Sequence, residues 1–172
     1  ISGFNKLEEV VELINIDGEP NLESISGFEK LRSAGTLYLI NLNGTRIDAF
    51  KNLEILGNLI ISDSSFTAEG AFESLHTIDQ RWFSLNKSSI KNMDTFSALR
   101  KLKSIYVFNN PELEDIQGLF NIKELGSDEI WIYNNPKLPT CQVEKFIEHL
   151  RSLGWDGQAY IDGNDDQATC EP

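Results

Sequence analysis

The sequence is poor in cysteine and histidine and has no long apolar run. Its 172 residues include two cysteines and two histidines, and no set of Cys and His has the spacing of a metal site. No stretch approaches the roughly 20 apolar residues that a membrane-spanning helix needs. We therefore expect no metal centre, no cofactor and no membrane insertion by this segment.

Basic residues are also scarce. The 15 Lys and Arg oppose 27 Asp and Glu, which leaves a net charge of -12. So acidic a chain repels nucleic-acid phosphates and anionic membrane surfaces, whereas a basic or neutral partner is allowed. With 40% hydrophobic residues in 172, the chain can bury one sizeable core, so we expect a single domain over residues 1–172.

Repetition is what the sequence has in abundance. The segment IYVFNNPELEDIQGLFNI (105–122) has the same spacing of apolar residues as INIDGEPNLESISGFEKL (14–31), and IWIYNNPKL (130–138) repeats the first half of this pattern. The opening ISGFNKL (1–7) nearly duplicates ISGFEKL (25–31). A sequence unit that recurs several times along the chain predicts a solenoid of stacked repeats. Since Ile1 falls inside a unit, we expect a trimmed amino terminus, and the missing targeting segment says nothing about localisation.

Pairs of apolar residues, two positions apart, mark the repeat. The second members of successive pairs, here called anchors, stand 22 to 25 residues apart, and the last follows after 29. Residues two apart on a strand share a face, so each pair predicts a short strand with two inward side chains. The pairs are Ile14/Ile16, Leu37/Leu39, Leu59/Ile61, Phe83/Leu85, Ile105/Val107, Ile130/Ile132 and Ala159/Ile161.

A second apolar wall follows each pair. Segments such as NPELEDIQGLFNI carry Pro and Gly and apolar spacings of two to three, which favour short extended or turn structure over helix. The pattern predicts an all-β solenoid, a parallel β-helix of about seven rungs. We expect Gly35, Gly57 and Gly126 at corners that need positive φ. The second wall contains Phe28/Leu31, Phe50/Leu53, Phe72/Leu75, Phe96/Leu99 and Leu119/Ile122.

Asparagine recurs three residues after the last anchors. Asn110, Asn135 and Asn164 occupy this position, and stacked amides can hydrogen-bond from rung to rung. The earlier rungs carry other residues there, so the ladder is expected only at the C-terminal end. Those residues are Glu19, Leu42, Ser64 and Ser88.

The repeat ends after Leu138, and a cap is expected there. Thr140 is a candidate N-cap and Gly154 a stop signal, so an amphipathic α-helix is predicted at about 141–153, followed by a last strand around Tyr160. Cys141 and Cys170 lie in the last repeat and its tail, where they predict a closing disulfide; two free thiols are the alternative in an intracellular protein. The apolar face of the helix comprises Val143, Phe146, Ile147, Leu150 and Leu153.

These motifs resemble the receptor L domain, the leucine-rich-repeat-like right-handed β-helix of the epidermal growth factor and insulin receptor ectodomains. The resemblance rests on ISGFNKL, ISGFEKL and IQGLFNI and, more specifically, on NNPELEDI and NNPKLPTC. Pro139 and Thr140 separate Leu138 from Cys141, and no cysteine-rich module or kinase follows. The resemblance implies an extracellular or cell-surface binding or architectural module, and the few cysteines favour a bacterial surface or periplasmic version.

Outward positions of the predicted strands carry aromatic residues. Stacked strands bring these side chains into columns about 4.8 Å apart, and exposed Trp and Tyr are the residue types that anchor partners. We hypothesise that an unknown protein or glycan binds here; the alternative is that a loop, the helix or another domain covers the columns. The hypothesised ligand-binding residues are Tyr38, Tyr106, Phe108, Trp131 and Tyr133.

Catalysis has little support in the sequence. No phosphate-binding Gly loop or nucleophile elbow is present, and His76 and His149 are expected in a corner and on a solvated helix face. The outward Asp17 and Asp162 lie at opposite ends, too far apart to cooperate as the carboxylates of a β-helix polysaccharide-acting enzyme would. We therefore expect no enzyme, with a structural spacer as the other alternative.

Two further motifs are short. The run 163–166 offers oxygens for Ca²⁺ but lacks the spaced ligands of an EF-hand loop, so an acidic turn is expected. Asn43-Gly44-Thr45 and Asn86-Lys87-Ser88 are N-glycosylation sequons, which predict modification of Asn43 and Asn86 only in a eukaryotic secretory route.

Overall fold

The predicted strands recur and stack in parallel. The computed structural model describes residues 1–18, 21–67, 70–127 and 129–170, and these form a β-solenoid with one C-terminal helix. Glu19 and Pro20, which the repeat aligns with Asn110 and Pro111, lie outside the described residues. The strands of the main face are β1 Glu9–Asp17, β3 Ser33–Ile40, β5 Ile55–Ser62, β8 Phe83–Asn86, β10 Ile105–Phe108, β12 Glu129–Tyr133 and β13 Gln158–Tyr160.

The shorter strands lie on the remaining sides of each turn. β2 Ser24–Ile25, β4 Asn43–Ile47 and β6 Ser65–Thr67 form a second, parallel sheet. β7 Thr77–Ile78, β9 Lys101–Leu102 and β11 Glu124–Leu125 continue the first half of β5, whereas β8 continues its second half. The absence of helix from these segments confirms the prediction, since only two 3₁₀ turns occur there among the described residues, Asp94–Phe96 and Gln117–Leu119.

The solenoid has about five turns, fewer than the seven rungs predicted. Seven strands do stack on the main face, and five turns connect the first six. The seventh, β13, is reached through the helix and not through another repeat. Counting strands therefore overestimated the number of turns.

The strand register aligns the inward pairs and builds one continuous core. Leu37 lies opposite Ile14 and Leu59, and Leu39 lies opposite Ile16 and Ile61. The anchors from Ile16 to Ile132 are buried, as predicted. The second wall is an inner phenylalanine stack, in which neighbouring ring centroids lie 4.8, 5.0, 5.9 and 5.3 Å apart. Its members are Phe4, Phe28, Phe50, Phe72 and Phe96.

The predicted role of the corner glycines is wrong. Gly35 and Gly57 lie inside strands, and neither they nor Gly126 has a positive φ. A Cβ on Gly35 would lie 2.3 Å from the Val11 carbonyl oxygen, and one on Gly57 would lie 2.4 Å from the Gly35 carbonyl oxygen. Glycine is therefore required at these two positions by the close approach of neighbouring backbones.

Left-handed backbone occurs instead two residues after each anchor. All seven residues at this position have φ between 48° and 75°, which asparagine, aspartate and glycine adopt most readily. This residue turns the chain out of the main face at the same height in every turn. The seven are Gly18, Asn41, Asp63, Lys87, Asn109, Asn134 and Gly163.

The asparagine ladder is confirmed. Asn135 Oδ1 accepts from the backbone and side-chain nitrogens of Asn110, both at 3.0 Å. Asn164 Oδ1 accepts from the same two groups of Asn135 at 3.1 Å. The Asn110 amide extends the ladder to Ser88, whose backbone nitrogen donates to Asn110 Oδ1. Because the polar groups of these buried side chains are paired, the turn can lie inside the core without leaving orphaned donors.

The predicted cap forms with small differences. Helix α1 spans Thr140–Ser152, and Val143, Phe146, Ile147 and Leu150 are buried on its inner face. Thr140 is not the N-cap, because Pro139 occupies that position and the Thr140 hydroxyl donates to Asp166 at 2.6 Å.

Leu153 is 44% exposed, contrary to the prediction that it belongs to the apolar face. Trp155 is buried there instead and donates its indole N–H to the Ser127 carbonyl at 2.7 Å. The predicted disulfide between Cys141 and Cys170 is present and joins the start of α1 to the tail. No helix in the described part of the chain is long and apolar enough to cross a membrane.

Candidate functional site

The C-terminal strands of the main face carry five aromatic residues on their outer side. Residues directly opposite each other across neighbouring strands lie about 4.8 Å apart. Tyr106, Trp131 and Tyr160 are successive partners across β10, β12 and β13, and Phe108 is the partner of Tyr133. These five residues are called the outer aromatic cluster.

Rings of the outer aromatic cluster stack on one another. The centroids of Trp131 and Tyr160 lie 4.0 Å apart with an interplanar angle of 18°, and those of Phe108 and Tyr133 lie 5.2 Å apart at 5°. An edge contact of 6.0 Å between Trp131 and Tyr133 joins the two stacks. All five residues are half-buried, so each ring keeps part of its surface in contact with solvent; Tyr106 lies beside the stacks without a ring contact of its own.

One predicted member does not join the cluster. Tyr38 points outward in the same column as Tyr106, but Ile60 and Ser84 stand between them on β5 and β8. Three strand spacings, or about 14 Å, therefore separate the two tyrosines. The structure brings together Tyr106, Phe108, Trp131 and Tyr133, but it places Tyr38 apart.

A slot of about 240 Å³ opens beside the cluster. Ser84 forms its floor, because it lies directly between Ile60 and Tyr106 in the register of β5, β8 and β10. Tyr106 and Phe108 form one wall and Ile60 the other, and Trp82 closes one end. We call this cavity the Ser84 slot.

Trp82 was missed by the sequence analysis. It is 37% exposed, and the Arg81 guanidinium lies 5.1 Å from its ring centroid. The signal was available, because Trp82 is two residues before the outward Ser84 and so lies on the same side of the strand. The predicted columns contain only one outward residue on either side of each anchor, and Trp82 lies one outward position beyond them.

The charges near the Ser84 slot are paired or lie at its edge. Lys87 and Asp63 form an ion pair of 3.5 Å beyond the ends of β5 and β8. The pKa of Asp63 lies below its usual value because the Ser62 hydroxyl donates to the carboxylate and, secondarily, because Lys87 is close; these effects outweigh desolvation. The residues that line the slot carry no formal charge.

A larger concavity of about 610 Å³ lies between β9, β11 and the end of α1. Two of its lysines are engaged: Lys101 pairs with Glu124 at 2.9 Å, and Lys103 Nζ donates to the Gly126 carbonyl at 3.2 Å. Glu124 also raises the pKa of Lys101, first through a hydrogen bond and then through its charge. The lining also contains Lys123, Asp79 and Asp156, so this wall carries charges of both signs.

The histidines differ from prediction in one case. His76 is exposed and contacts the Thr77 hydroxyl at 3.0 Å. His149 is not on a solvated face: it is half-buried, stacks on Phe120 at 6.0 Å and donates to the Ile122 carbonyl at 3.1 Å. The His149 side chain therefore links α1 to the last full turn through a hydrogen bond and a ring contact.

The acidic run at 163–166 forms a turn. Asp165 Oδ1 accepts from the backbone nitrogens of Gln167 and Ala168 at 2.9 and 3.2 Å, and Asp166 accepts from Thr140. Over residues 1–18, 21–67, 70–127 and 129–170, no group of three or more His, Cys, Asp or Glu side chains could hold a metal ion.

The two sequons lie in different surroundings. Asn43 is exposed at the start of β4, whereas Asn86 is half-buried and its side-chain amide lies 3.0 Å from the Ser62 hydroxyl oxygen. Modification of either asparagine stays a prediction.

Comparison of the chain with family models, curated proteins and solved structures found no match.

Proposed function

We propose that this chain is a non-catalytic recognition module of an extracellular or cell-surface protein, and that the outer aromatic cluster binds a protein or glycan. The observation that carries the proposal is the grouping of five half-exposed aromatic residues on three neighbouring strands, with four of the rings in contact with one another. Grouped Trp and Tyr side chains offer a large contact area at low entropic cost, which is why they dominate binding energy in interfaces.

The rigidity of the platform supports the same proposal. The rings on β10 and β12 are attached to strands whose inward residues are buried, Tyr160 lies between the half-buried Ala159 and Ile161, and Trp131 also donates its indole N–H to Glu129 at 3.2 Å. A pre-organised surface loses little conformational freedom when a partner binds. The core does not need these rings, since it is filled by the inward pairs and the inner phenylalanine stack.

The disulfide supports the proposed location. Disulfides persist in oxidising compartments and are rare in the cytosol, and the pair Cys141–Cys170 is formed here. The resemblance of NNPELEDI and NNPKLPTC to the receptor L domain points to the same setting. The observed β-solenoid agrees with that family at the level of the fold.

A structural spacer is the second candidate function. The ladder of buried asparagines and the even stacking of turns favour it, because both make the solenoid stiff without requiring a ligand. A spacer gains nothing from aromatic rings on its solvent side, so the two functions predict different behaviour for variants of the outer cluster.

The test compares the domain with Trp131→Ala and Tyr106→Ala on a printed glycan array and against a displayed library of random peptides. We expect the wild type to select ligands, and each variant to bind them more than about tenfold more weakly, the size of a central interface residue. Tyr38→Ala, in the same column but outside the cluster, is the matched control and should bind like the wild type. Unchanged binding in both cluster variants would contradict the proposal, and selection of no ligand at all would favour the spacer.

A further inference from the structure

The Ser84 slot is a one-residue gap in a column of large outward side chains. On β5 the column carries Ile60, on β10 Tyr106 and on β12 Trp131, whereas β8 carries Ser84. The small side chain leaves the flanking residues without a neighbour on that strand. A cavity lined by apolar surface results where the rest of the column is filled.

The width of the slot suits one flat ring. Ile60 and Tyr106 are two strand spacings apart, or about 9.6 Å between backbones. A ring held between two walls makes a carbon contact of about 3.5–4.0 Å on each side and so occupies about 7–8 Å. One ring therefore fits between the walls, and two do not.

The faces of the aromatic wall are open toward the slot. Phe108 is stacked on Tyr133 at an angle of 5°, so one face is covered from the β12 side and the other is directed toward β8. Tyr106 has no ring contact with another aromatic residue in the part of the chain described. Trp82 adds a third aromatic surface at the end of the slot.

Polar groups border this apolar space. The hydroxyls of the lining residues Ser84 and Tyr106 make no hydrogen bond within residues 1–18, 21–67, 70–127 and 129–170. They are donors that a bound molecule can use. A purely hydrocarbon or phenyl occupant would remove water from them without replacing its hydrogen bonds, which costs binding free energy.

We propose that the Ser84 slot binds one neutral pyranose ring of a glycan, an inference that rests on the proposed recognition function and specifies its ligand. A pyranose has a face of C–H bonds that can lie against Tyr106 and Trp82, and a perimeter of hydroxyls that can reach the donors at the floor and rim. This amphipathic ring matches both features of the slot, which a phenyl group does not.

The charge distribution specifies a neutral sugar. The lining carries no lysine or arginine to pair with a uronate or sialate carboxylate, the neighbouring Arg81 guanidinium is held over the Trp82 ring, and the net charge of -12 repels anions. The lining also carries no carboxylate to attract an amino sugar or a basic peptide side chain. The closest ion pair, Asp63 and Lys87, is satisfied internally.

The test is a substitution that fills the slot with a larger side chain. Ser84→Phe adds a ring between Ile60 and Tyr106, and Asn15→Phe adds the same ring at the exposed N-terminal end of the same column, as the matched control. Protein made without N-glycosylation is tested on an array of neutral gluco-, manno-, galacto- and N-acetylglucosamine oligosaccharides, with acidic oligosaccharides and aromatic peptides printed beside them. Saturation-transfer NMR with the bound oligosaccharide reports which ring protons touch the aromatic side chains.

We expect the wild type and Asn15→Phe to bind a neutral oligosaccharide and Ser84→Phe to lose at least tenfold in affinity. Saturation should pass mainly to the C–H protons of one sugar face. Trp82→Ala removes the end wall without filling the slot and should also weaken binding several-fold, so a Ser84→Phe protein that fails to fold leaves the prediction testable.

Absence of neutral sugar binding, or binding that survives both Ser84→Phe and Trp82→Ala, would overturn the inference. If the wild type selects only aromatic peptides and Trp131→Ala abolishes that selection, the sugar ligand is wrong and the recognition function stands. If nothing binds on any array, both are wrong.

Discussion

The N-terminal half of the solenoid stacks its aromatic rings in the core, and the C-terminal half stacks them on the outer side of the main face. In the N-terminal turns four buried phenylalanines and the more exposed Phe4 form one stack, with centroids 4.8 to 5.9 Å apart. In the C-terminal turns the equivalent inner position is Leu119, and the rings stack outside on β10, β12 and β13. The inner stack fills the core, whereas the outer one is not needed for it, and this difference directs the search for function to the C-terminal half.

The two ends also differ in how they are closed. At the C-terminal end α1, Trp155 and the disulfide cover the last turn. At the N-terminal end, Ile1, Phe4, Val11 and Leu13 remain exposed around the edge strand β1. Solenoids generally protect such edges with a cap. In this chain the helix, the buried tryptophan and the disulfide all lie at the end that carries the outer aromatic cluster.

The largest expected effect comes from breaking the inner stack. Phe72→Ala should lower the free energy of unfolding by about 3–5 kcal/mol, because the buried ring is removed and a cavity remains. Phe72 is fully buried and stacked on both sides, at 5.9 and 5.3 Å. Urea unfolding followed by circular dichroism measures the change.

Tyr133→Ala is the matched control in the outer stack. Its loss should cost clearly less than that of Phe72, because the ring is half-buried and its removal leaves no enclosed cavity; each ring pair that is lost contributes roughly 0.5–1.5 kcal/mol beyond the buried area. Equal destabilisation by the two variants would contradict the division of roles between the stacks.

Opening the disulfide should produce the next largest effect. The bond joins residues 29 apart, and on the chain-entropy model closure of a loop of this length stabilises by about 3–4 kcal/mol. The variant Cys141→Ser with Cys170→Ser should lose that amount in chemical unfolding. Hydrogen exchange should speed up first in α1 and β13, and uniform acceleration through β1 would show instead that the cap does not act locally.

The asparagine ladder is expected to contribute less. Asn135→Ala leaves the backbone nitrogen of Asn110 without its acceptor and removes the donations of the Asn135 amide to Val107 and Asn164, and buried polar groups without partners cost about 1–3 kcal/mol. Ser64→Ala, at the same position in an N-terminal turn, leaves the backbone nitrogen of Leu42 without its acceptor and removes one hydroxyl donor, so it should cost less, about 1 kcal/mol. A cost at Ser64 as large as at Asn135 would show that the two halves do not differ in this way.

The smallest expected effect is on pH dependence. Lys137 lowers the pKa of Glu112 below its usual 4.5, first through a hydrogen bond and then through its charge. A carboxyl with a lowered folded-state pKa contributes stability above the unfolded-state value, and this contribution is lost as the pH falls through the folded-state value. Stability should therefore be nearly flat from pH 7 to 5 and decline below about 4.5. Glu112→Gln should reduce that decline only slightly, because the pair is exposed, and thermal unfolding across this range measures it.

The inner architecture could be predicted from the sequence to a large extent. Apolar pairs two apart predict strands wherever they recur, and equal spacing places Ile16, Leu39 and Ile61 in one column. The position of Asn135 three residues after its anchor was sufficient to predict the ladder. These features follow from local geometry, since the period of a strand is two residues and the repeat length is nearly constant.

Other features depend on contacts that local patterns do not contain. Gly35 is required because the carbonyl of Val11 approaches it from the neighbouring strand. Leu153 continues the helical spacing, yet the chain ends the helix at Ser152 and buries Trp155 in its place. Tyr38 has the right residue type and the right column but stands on the wrong strand for the cluster.

The amino-acid sequence by itself determined which side chains face the core, where the asparagines stack and which cysteines close the chain, because each depends on position within one repeat. Only the tertiary structure decided that Ile60, Ser84 and Tyr106 form a slot beside stacked rings. These residues come from three different turns. The space above the small Ser84 side chain is bounded by the larger side chains opposite it on the neighbouring strands. The slot therefore exists only once the turns are stacked.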